Sequence, residues 1–346
     1  MLKLYTDTKF LTEAYRKKVF PLLFDLHFLK NTELLSYYEL VDEVEKSDIV
    51  VFPIDYSQFI KFREAFKSLL QLAKKHDKPI WIYSGGDYGF TNYIRNSYTF
   101  RLGGFKSKLD ANTFILPSFV NDPYENYIQN NFSVFKREDK PTIGFVGHAQ
   151  LGFKKYIKEY ISYLKYCLKR IFHLIIADKQ VFYPSSIKRA QCLQKLQKST
   201  LLKTNFILRK HYRDNKQKAF DKEKSREDYY NNIINNAYTF CCRGVGNFSV
   251  RFYETLALGR IPVLFDTDCK LPLEGKIDWS RHCVIIVEKS RLTLDEQIIN
   301  FHKALSNVDF EILQVNNRKL WKLYLERPAY FIKLHDLFLA TINKNG

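Results

Sequence analysis

Short apolar runs alternate with stretches of helical spacing along the first 138 residues of the chain. Residues 57–76 place apolar side chains on one face and lysines and arginines on the other, which predicts an amphipathic helix. The apolar runs predict buried strands at residues 2–6, 48–54, 78–84 and 114–120. A proline in the last run places it at the edge or end of a sheet. Strands that alternate with helices in this way are typical of a parallel sheet with helices on both faces.

The same alternation resumes after a charged stretch at residues 135–142, which predicts a domain boundary. The elements predicted beyond it are strands 143–147, 205–209, 238–242, 261–265 and 283–288 and helices 154–171, 188–200, 229–237 and 249–259. The sequence therefore predicts an α/β protein with two Rossmann-like domains, at residues 1–138 and 139–320. Residues 321–346 predict amphipathic helices divided near Pro328, which we expect to pack back on the first domain.

Composition excludes disorder as the overall class and gives no sign of a membrane span. Hydrophobic residues make up 46% and aromatic residues 16% of the chain, enough for two packed cores. No uncharged apolar run approaches the roughly 18 residues of a transmembrane helix, and the first residues lack a signal-peptide pattern. The cysteines show no metal-binding spacing, and free thiols indicate a reducing compartment. They are Cys167, Cys192, Cys241, Cys242, Cys269 and Cys283. We expect a cytoplasmic protein.

Charge is the unusual part of the composition. The chain carries 55 Lys and Arg against 37 Asp and Glu, a net charge of +18. Residues 151–230 alone hold 20 basic against 7 acidic residues. Such a segment attracts nucleic acids, anionic membranes or phosphorylated small molecules, and composition does not choose among them. Because the aromatic residues lie mostly in apolar runs and no nucleic-acid-binding motif is present, we expect no nucleic-acid partner.

The segment from Tyr238 to Glu288 carries the most specific chemical signal. A predicted strand runs into an R-G-x-G-N turn and then into a helix, so the amino end of that helix faces the carboxyl edge of the sheet, where anions bind readily. The candidate site residues are Arg243, Gly244, Gly246, Asn247, Ser249, Arg251 and Glu254. The glycines permit close approach of the backbone, the two arginines suit phosphate oxygens, Ser249 is a natural N-cap, and Glu254 suits a ribose diol. Together they predict a nucleotide-diphosphate pocket; alternatively, Glu254 pairs with an arginine and Ser249 only caps the helix.

These residues resemble the C-terminal signature of the exostosin-type glycosyltransferases of family 47. The family pattern is matched in order by the segments 240–244, 249–256, 259–263, 271–273 and 278–279. The resemblance covers the C-terminal half well and the first 140 residues only in general. Cys242 departs from the family, which commonly has proline before its Arg-Gly pair. Its best-known members also carry a membrane anchor, for which this sequence shows no pattern.

The resemblance implies the GT-B fold, in which two Rossmann-like domains face a cleft. It implies a nucleotide-sugar donor, usually a UDP-sugar, bound by the second domain with Arg243, Arg251 and Glu254 as matching positions. The first domain would then bind the acceptor, a glycan or a lipid-linked saccharide. The resemblance further implies inversion at the anomeric carbon and no obligatory metal or other cofactor.

An inverting transferase needs a base for the acceptor hydroxyl and positive groups for the departing diphosphate. Asp87 is the leading candidate base, because glycines expose it in the G-G-D-Y-G loop after a predicted strand. His148 is the second candidate and Asp55 the third; each follows a predicted strand. The two arginines can stabilise the diphosphate without a metal, and Asp266 and Asp268 are better explained as a polar loop than as metal ligands.

Other functions remain compatible with the sequence. A fucosyl- or Kdo-type transferase of GT-B fold, with a GDP or CMP donor, would place arginine and glutamate on the same helix. A non-catalytic nucleotide-binding protein and a basic nucleic-acid-binding protein are further alternatives. The predicted helix 154–171 adds a partner hypothesis, because its basic face suits peripheral contact with the inner face of an anionic membrane. Alternatively, the apolar side of that helix is core and its lysines only solubilise.

Overall fold

A computed structural model describes residues 1–128, 131–209 and 219–345 and contains two parallel β-sheets. The first sheet has the strand order β2-β1-β3-β4-β5-β6, and each neighbouring pair is parallel. Its strands are β1 (Leu2–Tyr5), β2 (Tyr38–Leu40), β3 (Ile49–Val51), β4 (Ile80–Ser84), β5 (Ser97–Arg101) and β6 (Thr113–Ile115).

The second sheet is also parallel throughout and has the strand order β11-β10-β9-β7-β8. Its strands are β7 (Thr142–His148), β8 (Lys203–Arg209), β9 (Tyr238–Cys241), β10 (Ile261–Asp266) and β11 (Val284–Val287). The chain moves from β7 to β8 on one side and then crosses to β9 on the other side. The strand order therefore reverses at the β7–β9 pair, which is where open α/β sheets bind ligands.

Helices cover both sheets, as the alternating pattern predicts. They are α1 (Pro21–His27), α2 (Tyr56–Phe59), α3 (Arg63–Lys75), α4 (Pro123–Asn126), α5 (Phe153–Ile171), α6 (Ser185–Gln197), α7 (Ala219–Ile234), α8 (Val250–Ala257), α9 (Leu294–Lys303), α10 (Asn307–Leu320) and α11 (Arg327–Asn345). Short 3-10 turns lie at Thr8–Phe10, Leu34–Ser36, Val44–Lys46, Lys106–Lys108 and Trp279–Arg281, and a π-helical turn at Trp321–Leu325 joins α10 to α11. Within the described ranges, no helix combines the length and apolar character needed to cross a membrane.

Two sequence-based predictions in the first domain need correction, and two strands were missed. The strand predicted at 114–120 ends at Ile115, two residues before Pro117, which has no N–H to continue a ladder. The helix predicted at 57–76 is broken into α2 and α3. At the break Phe62 has the non-helical ψ of 70°, and its ring packs edge-on against Phe10. Strands β2 and β5 had no predicted counterpart.

The C-terminal helix α11 packs on the first sheet, whose strands lie far from it in the sequence. Phe338 packs its ring 4.7 Å from that of Trp81, and the Tyr330 hydroxyl donates to the carbonyl of Ile115. Tyr38 in turn donates to the carbonyl of Phe331 at 2.7 Å. Helix α10, by contrast, contributes to the core of the second domain, where Gln314 bonds the backbone of Phe135. The α/β class with two Rossmann-like domains and returning C-terminal helices is thus confirmed.

Candidate active site

The predicted site residues gather at the carboxyl ends of β7 and β9, on either side of the point where the strand order reverses. Strand β7 ends at His148, and β9 is followed by Cys242 and Arg243. Helix α8 begins at Val250 and brings Arg251 back to β7, where its Nη2 donates to the carbonyl of Val146 at 2.6 Å. The geometry thus joins one candidate from each of three separate elements.

Arg243 is buried with only 4% of its surface exposed, and its guanidinium lies between two aromatic rings. Its Cζ is 4.7 Å from the ring of Tyr183 and 5.3 Å from the ring of Phe105, which belongs to the first domain. Nη2 donates to the carbonyl of Val245 at 2.8 Å, while Nε is buried without a partner. Burial lowers the pKa of Arg243, because the charged form loses hydration. This side chain is a desolvated cation with an unused donor.

Arg251 has a closely similar environment. Its Cζ lies 4.3 Å from the centre of the Phe145 ring and 5.4 Å from that of Tyr229, and its Nε is also buried without a partner. Burial opposes its charge, but acidic neighbours, Tyr229 foremost, outweigh burial and raise the pKa of Arg251. A side chain at Gly147 would stand 3.0 Å from Nη2, so glycine here leaves the guanidinium its space.

Among the described residues, neither arginine forms an ion pair within 4.0 Å. Glu254, one turn further along α8, accepts a hydrogen bond from the hydroxyl of Tyr229 instead. Burial raises the pKa of Glu254, against the opposing effects of Tyr229 and Arg251. The alternative of a simple surface pair between Glu254 and an arginine is therefore wrong. The positive charge of Arg243 and Arg251 at the carboxyl edge is not neutralised by direct contact with any acidic side chain that the structure describes.

The turn between β9 and α8 contacts the first domain, and its glycines differ in surroundings. A side chain at Gly246 would overlap the carbonyl oxygen of Asp87, so this glycine permits the two domains to touch. A side chain at Gly244 would meet open space, so that position leaves room in the cleft. Ser249 is the N-cap residue of α8 by its extended backbone, but its side chain makes no capping hydrogen bond. The predicted capping role of the Ser249 hydroxyl therefore needs correction.

Asn247 ties the domains together. Its buried amide donates to the carbonyls of Gly104, Thr267 and Asp268, and its oxygen accepts from the Thr267 hydroxyl at 2.6 Å. Every polar atom of the Asn247 side chain is thus engaged within the protein. The structure gives this residue an interdomain contact in place of the anion contact that the sequence suggested.

Asp87 is exposed in the loop after β4 and lies directly across the domain boundary from Gly246. Asp55, which follows β3, holds this loop in place through hydrogen bonds. One of its carboxylate oxygens accepts from the N–H of Gly85 at 2.7 Å, and the other accepts from both the N–H and the hydroxyl of Ser57. Both oxygens of Asp55 therefore hold the loop in place, whereas the Asp87 carboxylate accepts no hydrogen bond from the described part of the chain.

His148 is partly buried at the end of β7. Its Nδ1 contacts the carbonyl of Arg209 at 3.1 Å, and its Nε2 is buried without a partner. Burial lowers the pKa of His148, and the nearby cations Lys155 and Arg189 add to that effect. The imidazole is therefore neutral near pH 7, with one ring nitrogen unused at the same sheet edge as the two arginines.

The loop after β10 engages its acidic residues in protein contacts. Asp268 accepts hydrogen bonds from the N–H and hydroxyl of Ser107 in the first domain, and Asp266 accepts from the N–H of Cys269 at 2.9 Å. Over the described residues, no group of three potential metal-ligating side chains is found. The acidic side chains of this loop thus accept hydrogen bonds within the protein.

Several residues that shape this site had no sequence signal. Arg189 on α6 donates to the carbonyls of His148 and Arg243, and so holds the ends of β7 and β9 together. Tyr183 lies in an irregular segment, and Phe105 comes from a loop of the other domain. These residues are identified only by their proximity in the structure. In the sequence, Arg189 is one of several basic residues in a predicted helix, and nothing distinguishes it from the others.

Comparison with known proteins shows a family resemblance over this segment. Residues 178–299 match the model of the Exostosin GT47 domain. The chain is 28% identical over 126 residues to the Exostosin-1 homolog of Caenorhabditis elegans and 30% identical over 111 residues to Exostosin-1 of Drosophila melanogaster. These matches cover 36% and 32% of this chain, but only 32% and 14% of the two relatives. The chain is thus exostosin-like over its second domain, and the resemblance read from the sequence is confirmed there.

Solved structures with similar coordinates include two glycosyltransferases that match along nearly the whole chain. The glycosyltransferase from Rickettsia africae aligns with 97% of this chain and 98% of its own at a TM-score of 0.38 and 9% identity. WaaG, a glycosyltransferase involved in lipopolysaccharide biosynthesis, aligns with 97% and 99% at a TM-score of 0.33 and 11% identity. At such scores the fold assignment stands on the sheet topology given above.

Proposed function

We propose that this exostosin-like protein is a glycosyltransferase that takes its sugar from a nucleotide-sugar donor, a UDP-sugar in the first instance. The observation that carries the proposal is the pair of arginines at the reversal of strand order, each with a buried, unused Nε–H and no carboxylate partner among the described residues. A desolvated guanidinium costs free energy unless an anion compensates it, and a diphosphate supplies the oxygens that its planar fork fits. Glu254 lies one turn beyond Arg251 on α8, and in this proposal its carboxylate accepts hydrogen bonds from the ribose hydroxyls.

The chemistry follows from the charges on the two sides of the cleft. Asp87 accepts the proton of the acceptor hydroxyl, and the acceptor oxygen forms a bond to the anomeric carbon from the face opposite the donor diphosphate. The bond between the anomeric carbon and the diphosphate oxygen breaks, and its electron pair leaves with UDP. Attack from the opposite face inverts the configuration at the anomeric carbon. Arg243 and Arg251 stabilise the negative charge that develops on the leaving group, so the proposed reaction needs no metal.

The acceptor in this proposal is a glycan or a lipid-linked saccharide bound by loops of the first domain, and no nucleic acid takes part. All six cysteines are free thiols, which supports a reducing compartment such as the cytoplasm. We place the protein there, at the inner face of an anionic membrane, in a step of polysaccharide biosynthesis.

The nucleotide is tested first by thermal shift with UDP, GDP and CMP, because a ligand that binds only the native state raises its melting temperature. We expect UDP alone to stabilise the protein. Stabilisation by GDP or CMP alone would indicate a fucosyl- or Kdo-type transferase, and stabilisation by none of them would contradict nucleotide-sugar binding.

Turnover is then tested by incubating the protein with a panel of UDP-sugars and measuring release of UDP, with and without EDTA. The proposal expects release from one donor to persist in the chelator, since arginines take the place of the cation. Activity that EDTA abolishes and Mn²⁺ restores would overturn the metal-independent mechanism and make Asp266 and Asp268 candidate ligands.

A further inference from the structure

Helix α5 is attached to the rest of the protein along one narrow side. Tyr166 is its one buried residue. The hydroxyls of Tyr163 and Tyr166 donate to the carbonyls of Gln180 and Asp178, and Arg170 donates to the carbonyl of Ala177. Positions 163, 166 and 170 follow one another at helical spacing, so they share one side of the helix. Glu159, on the same side, accepts a hydrogen bond from the N–H of Ser186 at 3.3 Å.

The opposite side of α5 is apolar and exposed. A stripe of aliphatic residues repeats at intervals of four and three residues, and each of these residues has 40–64% of its surface exposed. We call it the α5 stripe, and it consists of Ile157, Ile161, Leu164, Leu168 and Ile171. Phe153 before it and Phe172 and Leu174 after it are exposed by 68–77%. The alternative in which the apolar side of this helix is core is therefore wrong. A continuous exposed apolar surface of this kind marks an interaction site.

Basic residues border the α5 stripe along its whole length. Lys154, Lys158, Lys165 and Lys169 are exposed, and none of them forms an ion pair with another described residue. The helix contains one acidic residue, Glu159, which lies 3.5 Å from Lys155 on the attached side. The other border is aromatic, where Tyr156 and Tyr160 pack against the ring of Phe182. Lysine stems of this length can lie along apolar groups while their charges reach a polar layer.

We propose that the α5 stripe docks on an anionic lipid bilayer, with its aliphatic side chains among the acyl chains and its lysines among the head groups. Exposed aliphatic residues bordered by lysines, with no acid facing outward, are the pattern of a helix that lies in a membrane interface. The lysines run the full length of the helix and meet a plane of negative charge better than they meet a local acidic patch on a protein.

Docking would place the cleft beside the bilayer. Helix α5 begins a few residues after His148, and the ring of Tyr166 lies 4.3 Å from that of Tyr88, next to Asp87. Because the side of α5 that contacts Tyr88 is opposite the α5 stripe, a lipid-linked acceptor would extend its saccharide past the helix, about 10 Å across, to reach Asp87 while its lipid stays in the membrane; this consequence rests on the proposed function, whereas docking itself does not.

The test is co-sedimentation of the full chain with vesicles of phosphatidylcholine alone and with added phosphatidylglycerol. We expect binding to the anionic vesicles, little to the neutral ones, and loss of binding as salt rises. Two double variants separate the contributions. Leu164→Ser with Leu168→Ser removes apolar contact, and Lys158→Glu with Lys165→Glu reverses charge; each should weaken binding by about tenfold or more. All four residues are exposed, so the fold should tolerate both changes.

Matched controls place the same changes elsewhere on the surface. Val308→Ser with Ile312→Ser on α10, and Lys67→Glu with Lys74→Glu on α3, should leave vesicle binding unchanged. No binding to anionic vesicles would overturn the proposal, as would equal binding to neutral ones or equal loss in the control variants. Concentration-dependent dimerisation in sedimentation velocity that Leu164→Ser with Leu168→Ser abolishes would also overturn it, in favour of a second copy of this chain. Release of UDP from a donor in the absence of lipid should be the same in all variants, so failure of the proposed function is read separately.

Discussion

The two edges of the second sheet each bury arginine, but they use it differently. At the amino end of β10, Arg260 donates from Nε to the carbonyl of Ile234 and from Nη1 to that of Ser133, and it packs 4.7 Å from the ring of Phe135. At the carboxyl edge, Arg243 and Arg251 have the same kind of aromatic and carbonyl contacts, but their Nε atoms are buried and unpaired. The amino-edge arginine has its donors paired within the protein, whereas the carboxyl edge retains unpaired donors, which we propose bind a ligand.

This difference explains why burial by itself does not identify a site. Burial lowers the pKa of Arg260 to about 10 and lowers that of Arg243 as well. What distinguishes the two positions is hydrogen-bond satisfaction, since an unmet buried donor costs more than a met one contributes. Natural sites retain such unfavourable features where function requires them.

The largest expected effect concerns the carboxylate that faces the carboxyl edge from the first domain. Asp87→Asn keeps the shape of the loop but removes the proposed base, so kcat should fall by about 10²–10⁴-fold with little change in the affinity for UDP. Steady-state kinetics and UDP titration measure the two quantities. The matched variant Asp7→Asn, on a different loop of the first domain, should leave both unchanged. Full activity of Asp87→Asn would transfer the base role to His148.

The next effect contrasts stability at the two edges. Arg260→Ala leaves two carbonyls without a charged donor and should lower the free energy of unfolding by about 3 kcal/mol. Arg243→Ala removes an unpaired buried donor together with one carbonyl contact and should cost about 1 kcal/mol or less. Urea denaturation followed by circular dichroism compares them. An equal or larger loss in Arg243→Ala would show that its role is mainly structural.

The two sheets show which features could be predicted from the sequence and which could not. Strands such as β4 and β10 were predicted because buried parallel strands are continuous apolar runs. The short β2 and the mixed Ser97–Arg101 of β5 lack that run and were missed. The arginines of the turn were found because their spacing follows a strand and precedes a helix. The contacts of Asn247 could not be predicted from the sequence, because all of its partners come from other loops.

Helix α5 is a second case in which the sequence predicts an element but not its contacts. Its periodicity predicts an apolar face, but periodicity does not say whether another element covers that face. The structure shows that the protein anchors the opposite side, through the carbonyls of Asp178 and Gln180, and leaves the apolar face exposed. Residues 210–218, part of the same basic segment of the sequence, lie outside the described residues.

A smaller effect is expected from the partner of the ribose. Glu254→Gln should weaken UDP by about 1 kcal/mol, roughly fivefold, because an amide is a poorer acceptor for hydroxyl groups than a carboxylate. Pyrophosphate lacks a ribose, so its affinity should not change. Isothermal titration with both ligands separates the two, and equal weakening of both would assign Glu254 to the diphosphate instead.

The smallest expected effects concern the pKa values of two histidines and the pH dependence of stability that these values cause. Burial lowers the pKa of both His148, at the carboxyl edge, and His302, which contacts Tyr238 and the Glu138 carbonyl at the amino edge. A histidine whose folded pKa lies below its unfolded value of about 6.5 stabilises the protein above pH 6.5, and that stability is lost as the pH falls through the folded pKa. Unfolding free energy should therefore decrease on acidification below neutrality.

Saturation with UDP should sharpen that comparison. A bound diphosphate places negative charge at the carboxyl edge and so should raise the pKa of His148, while that of His302 stays constant. Proton NMR of the imidazole resonances during a pH titration measures both values. Parallel behaviour of the two histidines would argue against an anion near His148.

The most direct measurement is a calorimetric titration of UDP into the wild-type protein and into Arg251→Ala and Arg260→Ala, each checked for folding by circular dichroism. If the carboxyl edge holds the diphosphate, Arg251→Ala loses charge-assisted hydrogen bonds of about 1.5–3 kcal/mol, and its Kd rises about 10–150-fold. Arg260→Ala, a buried arginine with similar contacts at the opposite edge, should bind UDP as the wild type does. An unchanged Kd in Arg251→Ala, or equal losses in both variants, would contradict the assignment of the nucleotide site to this edge.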